Sequence, residues 1–241
     1  MTFTTLDPNK TLETIETLYR RISERFPDSS LSKVCRSLYN IAGETRKRSK
    51  KIARPNYGLR LFIGAIILIS IGAIVYSTST MQITLGKLTL AELVQAVEAS
   101  INNLVLIGAA IFFLVTIETR IKRSRTLKAL HELRSIAHVI DMHQLTKDPS
   151  RLSTSAMHTA SSPKEKMTPF ELIRYLDYCS EMLSLTGKVS ALYAQNFHDN
   201  VVVSAVNDLE TLTTGLSRKI WQKIMILHKF EGTSGHSSLL N

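Results

Sequence analysis

Apolar residues along this chain fall into two patterns that predict two different surroundings. In two stretches they run without a break. From Leu61 to Tyr76 the chain reads LFIGAIILISIGAIVY with no charge, and Tyr57 through Ser77 extends it to the ~20 residues a hydrocarbon core requires. Leu104 to Ile117 (LVLIGAAIFFLVTI) reaches spanning length once Ala99 to Asn103 is included. Two transmembrane helices are expected. The leading residues MTFTTLDPNKTLETIETLYRR are acidic as well as basic and lack the apolar core of a secretory signal, so the first span is expected to act as a signal anchor.

Elsewhere the apolar positions recur every three or four residues, the helical period. After Asp7-Pro8, a helix-start pair, come Leu12, Ile15, Leu18 and Ile22; Phe26-Pro27-Asp28-Ser29-Ser30 interrupts, and Leu31, Val34, Leu38 and Ile41 resume. Residues 1–55 therefore read as an amino-terminal helical hairpin. Thr89-Leu90-Ala91-Glu92 is a capping box ahead of the second span. No Gly-Pro punctuation follows as far as Gln144, so one helix is expected to leave the membrane segment (56–118) and continue through 119–147, a rod of ~80 Å at 1.5 Å per residue. Residues 148–167, with Asp148-Pro149-Ser150, Ser153, Ser155, Ser161, Ser162 and Pro163, have linker composition.

Thr168-Pro169-Phe170-Glu171 then supplies an N-cap, a proline at the first helical position and an acidic third residue. Apolar stripes follow at Leu172, Leu176, Cys179 and Leu183 and, past Asp199-Asn200, at Val202, Leu209, Leu216, Ile220 and Leu227. This predicts a second hairpin over 168–230, docking as a separate module, with residual apolar area around Tyr175, Tyr193 and Trp221, and with Trp221 itself anchored in a core. Residues 231–241 are expected to be disordered. The fold class is thus an all-α integral membrane protein: a two-span transmembrane hairpin, cytoplasmic helical hairpins, and one long helix continuing from the second span.

Charge adds the orientation. The 241 residues carry a formal net charge of +10, with pI near 9.7. Arg46, Lys47, Arg48, Lys50, Lys51, Arg54 and Arg60 precede the first span; Arg120, Lys122, Arg123, Arg125 and Lys128 follow the second; Thr78 to Ala99 holds only Lys87. Basic residues stay on the cytoplasmic side, so both termini should be cytoplasmic, in a plasma or bacterial inner membrane. The cluster Arg46, Lys47, Arg48, Lys50, Lys51 and Arg54 is the candidate contact for anionic lipid, at ~1 kcal/mol per charge. Nucleic acid is not expected as a partner, because the basic runs have no interleaved aromatics.

Candidate chemistry is sparse. Cys35 and Cys179 have no ligand-like spacing. His131, Arg134, His138 and Asp141 share one helical stripe, but the two histidines are ~10 Å apart along the axis, too far for one metal ion, and a solvated polar face is the simpler reading. Asn102 and Asn103 near the outer end of a span, and Glu118 beside Arg120 and Lys122, read as interfacial groups. Gly64, Gly72 and Gly108 offer close-approach surfaces for helix contact and self-association. No phosphate-loop, dinucleotide-binding, zinc-protease or nucleophile-elbow motif occurs, so neither an enzyme nor a cofactor is expected. The leading expectation is a membrane-anchored scaffold or adaptor that recruits cytoplasmic partners; a subunit of an oligomeric channel or pore, and a transmembrane sensor, are the alternatives.

Overall fold

A computed structural model describes residues 5–53, 57–80, 90–147, 149 and 167–237. Among them are six helices and no strand: α1 (Pro8–Arg25), α2 (Ser30–Ala53), α3 (Tyr57–Thr80), α4 (Leu90–Leu145), α5 (Pro169–Asn196) and α6 (Asn200–Ser237). The protein is all-helical. Its chain forms two compact units, Arg54–Ser124 and the pair of segments Met1–Ala53 and Arg125–Asn241. The expected capping box at Thr89 and most of the 148–167 linker lie outside the described residues. Helix α6 continues to Ser237, into the stretch whose composition suggests disorder.

The larger unit is a bundle organised around α5. Local signals start and stop its helices. Asp7 caps α1 by accepting from the Asn9 amide at 2.8 Å, with Pro8 in the first turn. Asp28 turns the chain into α2 at a φ of 55°, a left-handed conformation that Asp tolerates better than most side chains. Thr168 and Glu171 form the full capping box of α5, and the Thr168 hydrogen bonds lower the Glu171 pKa. Asp199 caps α6 through the Val201 and Val202 amides at 3.1 and 3.2 Å.

Hydrogen bonds and ring contacts give the helix directions. The Leu6 amide, just before α1, donates to Gln195 at the end of α5 at 3.1 Å, whereas Phe26, just after α1, packs edge-on against Tyr175 near the start of α5 with centroids 5.6 Å apart. Helices α1 and α5 are therefore antiparallel. Ser30 at the start of α2 lies 3.4 Å from His143 at the end of α4, and Arg48 near the end of α2 reaches Glu132 at 2.9 Å, so α2 and α4 are antiparallel too. Helix α6 returns along α5. At Gly187 they approach so closely that a Cβ would meet the Thr213 hydroxyl at 3.2 Å.

The predicted stripes are buried. Ile15, Leu18, Ile22, Leu31, Leu38, Leu176, Cys179, Leu183, Val202, Leu209, Ile220 and Leu227 are 0–2% exposed and share one core with Leu133, Ala137 and Ile140 of α4. Helix α5 goes further, because Tyr175, Tyr178, Met182, Val189 and Tyr193, on the arc beside its predicted stripe, are also buried, while Ser184 and Lys188 are exposed on the face beyond. Its interior hydroxyls are satisfied locally: Thr186 donates to the Met182 carbonyl at 2.8 Å and Ser190 to that of Gly187 at 2.7 Å. Segments that composition separates thus close a single core.

The smaller unit holds α3 and the Leu90–Ser124 part of α4. Its apolar side chains are open: Leu61, Phe62, Leu68, Leu104 and Phe112 are all more than 60% exposed. Among the described residues one helix, within Leu93–Leu145 of α4, is long and apolar enough to cross a membrane; in α3 the apolar run is the shorter Gly64–Ala73. The structure so supplies one spanning helix where the sequence reads two.

Two consequences follow for stability. Leu176→Ala, at a fully buried position of α5, should cost about 2–5 kcal/mol, read as a loss of thermal or denaturant stability. Truncation after Ser161 removes α5 and α6 and should leave α1 and α2 open to limited proteolysis in the inserted protein; α1 and α2 as resistant as in the full chain would mean that they fold without α5.

Candidate functional site

The predicted lipid-contact cluster is partly drawn into the bundle. Arg46 donates to the Asn9 side chain at 3.1 Å, Lys47 is exposed, and Arg48 pairs with Glu44 on its own helix and with Glu132 of α4. The side chains of Lys50, Lys51 and Arg54 lie outside the described residues. Beneath Arg48 the buried Tyr193 hydroxyl donates to Thr45 at 3.2 Å. Burial pushes the Tyr193 phenol up, against the opposing pull of Thr45 and Arg48. With side chains 40% and 35% exposed, the Arg48–Glu132 pair is worth under about 1 kcal/mol; its geometry fixes the register of α2 on α4.

At the other end of the bundle Lys223 of α6 donates to the Gln144 carbonyl at 2.8 Å and the Lys147 carbonyl at 3.4 Å, supplying donors to carbonyls that the end of α4 leaves without helical partners. His143 lies between Ser30 and the Tyr175 hydroxyl, 3.5 Å away. Burial, reinforced by the Lys147 charge, lowers its pKa and favours the neutral ring.

The remaining sequence candidates can be placed individually. His131, Arg134 and His138 are exposed, and Asp141 accepts from Gln144 Nε2 at 2.7 Å. They lie opposite the buried Leu133, Ala137 and Ile140, so the stripe is the outer face of α4. Among the described residues no group of three or more His, Cys, Asp or Glu side chains comes together as metal ligands would. A Cβ at Gly64, Gly72 or Gly108 would meet nothing within 4 Å among the described residues. Asn102 and Asn103 are exposed. Glu118 pairs with Lys122 at 2.9 Å, one turn away.

Trp221 corrects the sequence expectation. It is 60% exposed rather than anchored in a core, whereas Tyr175 and Tyr193, whose residual apolar area the sequence sends onto another element, are buried. The reason is register. Leu216, Ile220, Ile224 and Leu227 form the buried stripe of α6; Trp221 and Met225 follow the same period one residue later, on the outward side, and Ile226 is exposed further round the helix. Arg218, Lys219 and Lys229 are exposed around this apolar strip. Reading Trp221 against the Ile220–Ile224–Leu227 stripe was the signal available in sequence; the residue type alone pointed inward.

Comparison with protein-family models, characterised proteins and solved structures gives no match.

The two cysteines give a direct check on the core. Burial pushes both thiols up to about 12, with the Glu181 charge adding at Cys35 and Lys147 and Lys223 opposing at Cys179. Neither should react with a thiol reagent at neutral pH until the bundle unfolds. A folded pKa above the unfolded value means stability that is intact below the ordinary thiol value of 9.0 and declines towards about 12. Replacing Cys35 with Ala should flatten that alkaline decline in a denaturation series; rapid labelling of native Cys35 or Cys179 would show that the α2–α5 packing opens.

Proposed function

We propose that this chain is a membrane-anchored helical scaffold, held in the bilayer by α3 and α4 as two spans with both termini cytoplasmic, and that the outer face of α6 recruits a cytoplasmic partner. The observation that carries the proposal is the Trp221–Met225 strip, 60% and 54% exposed on the outward side of α6, with Ile226 at 47% further round the helix. Exposed apolar side chains also occur on α4, at Val139, Met142 and Leu145, but without an aromatic among them. Exposed contiguous apolar area of this kind is costly in water and marks contact surfaces, and Trp is the residue most enriched at binding hot spots. The basic rim of Arg218, Lys219 and Lys229 selects the occupant: an acidic amphipathic helix of another protein, whose apolar face covers the strip while its carboxylates meet the rim.

Anchoring rests on different support. The described apolar side chains of α3 and of the outer part of α4 are exposed, a surface that hydrocarbon covers at no cost and water at about 25 cal/mol per Å². Orientation rests on the basic residues that flank the apolar blocks in sequence.

A photo-crosslinking amino acid at position 221, introduced in cells, should capture a foreign protein through an acidic amphipathic segment, and Met225→Glu should abolish the capture without changing thermal stability. Crosslinks only to lipid or to a second copy of this chain would reject the proposed partner. For topology, Thr78→Cys should react with an impermeant thiol reagent in intact cells, whereas Arg134→Cys should react only after permeabilisation. The reverse pattern would invert the orientation.

A further inference from the structure

At the end of the bundle where α1 finishes and α5 begins, three arginines converge. Arg21 and Arg25 of α1 and Arg174 of α5, with Glu24 and Tyr178, line a cavity of about 430 Å³. The guanidinium groups are held rather than trailing in solvent. Arg21 and Arg174 lie 5.5 and 5.0 Å from the centroid of the Tyr178 ring, and Arg25 lies 5.4 Å from that of Phe170. Arg21 and Arg174 are each further tethered through one terminal nitrogen, Arg21 Nη1 to Glu181 at 3.1 Å and Arg174 Nη1 to Asp177 at 2.9 Å. A guanidinium carries five N–H donors, so these tethers fix direction while leaving donors over. Burial raises the Tyr178 phenol's pKa, but Arg174 and Arg25 acting on its hydroxyl outweigh that and bring it down.

Arg21 and Arg174 already face Glu181 and Asp177, and Glu24 is the one carboxylate among the lining residues, so what the cavity offers a ligand is the guanidinium donors these pairs leave over. From this geometry we infer a binding site for a phosphoryl group, taken by the Arg21, Arg25 and Arg174 forks with the Tyr178 hydroxyl as a further donor. Planar forks on two helices suit the several oxygens of a phosphate better than a single carboxylate, and fixed forks lose little freedom on binding. The phosphoryl group is that of a soluble phosphate ester or of a lipid headgroup. This site is separate from the Trp221 strip and does not depend on the scaffold reading.

The test uses the full-length protein in a maltoside detergent, with two probes at constant ionic strength: inorganic phosphate followed by phosphorus NMR line broadening, and mixed micelles containing phosphatidic acid. At least one probe should bind. The double variant Arg25→Gln with Arg174→Gln should weaken that binding by about tenfold or more, the scale of one lost charge-assisted contact. Arg134→Gln, which removes an exposed arginine elsewhere in the bundle, should leave it unchanged. Arg25→Lys, at an exposed position where folding is not at stake, keeps the charge but loses the fork and should also weaken binding. A response to phosphate points to a soluble ligand, and a response to phosphatidic acid alone points to a headgroup. Binding of neither probe, or equal loss in Arg134→Gln, overturns the proposal.

Discussion

A helix buried on one narrow stripe needs one neighbour, but a helix buried over a broad arc needs several, and α5 is of the second kind. Leu172, Leu176, Cys179, Leu183 and Ser190 form one part of that arc and Tyr175, Tyr178, Met182, Val189 and Tyr193 the part beside it, while Ser184 and Lys188 are exposed on the remaining face. Helix α6 alone cannot cover that arc, so α5 draws in α1 and α2 and the end of α4. The Arg48–Glu132 pair, the Tyr193–Thr45 bond and the Lys223 cap on α4 then set register at the two ends of a core whose stability comes from apolar burial. The Thr186 and Ser190 hydroxyls carried into that core cost little because each donates to a carbonyl of its own helix.

That closure bears on function by elimination. Once five helical segments pack on one another, the surfaces left among the described residues include the outer face of α4 with its histidines and exposed Val139, Met142 and Leu145, the Trp221 strip of α6, the arginine cavity between α1 and α5, and the open apolar sides of α3 and outer α4. The Trp221 strip, the arginine cavity and the open apolar sides are the surfaces on which the proposed protein partner, phosphoryl group and lipid contact respectively rest.

Much of the architecture was legible in the sequence because it was written locally. The Asp7-Pro8 and Thr168–Glu171 caps, the turn at Phe26–Ser29 and the stripes from Ile15 to Leu227 all follow from backbone chemistry and period. What stayed hidden was long-range. The periodicity of α5 shows one clear stripe and leaves apolar area around Tyr175 and Tyr193 to pack on something beyond the hairpin; which elements cover it is not written in the period, and the structure supplies α1, α2 and α4. At Trp221 the expectation failed, since residue type suggested burial and a one-residue offset from the Ile220 stripe decided exposure. The arginine cavity could not be read at all, because Arg21 and Arg174 are brought together by the antiparallel packing of α1 on α5.

The central claim is that the bundle is one cooperative body with α5 as its axis. Native-state hydrogen exchange on the full chain in lipid nanodiscs tests it most directly, because it reports which segments open together. Amides of α5 from Leu176 to Tyr193 should exchange slowest, and the protected amides of α1 and α2 should share the same opening event. Exchange of α1 and α2 through an independent, lower-energy opening while α5 and α6 remain protected would contradict the account.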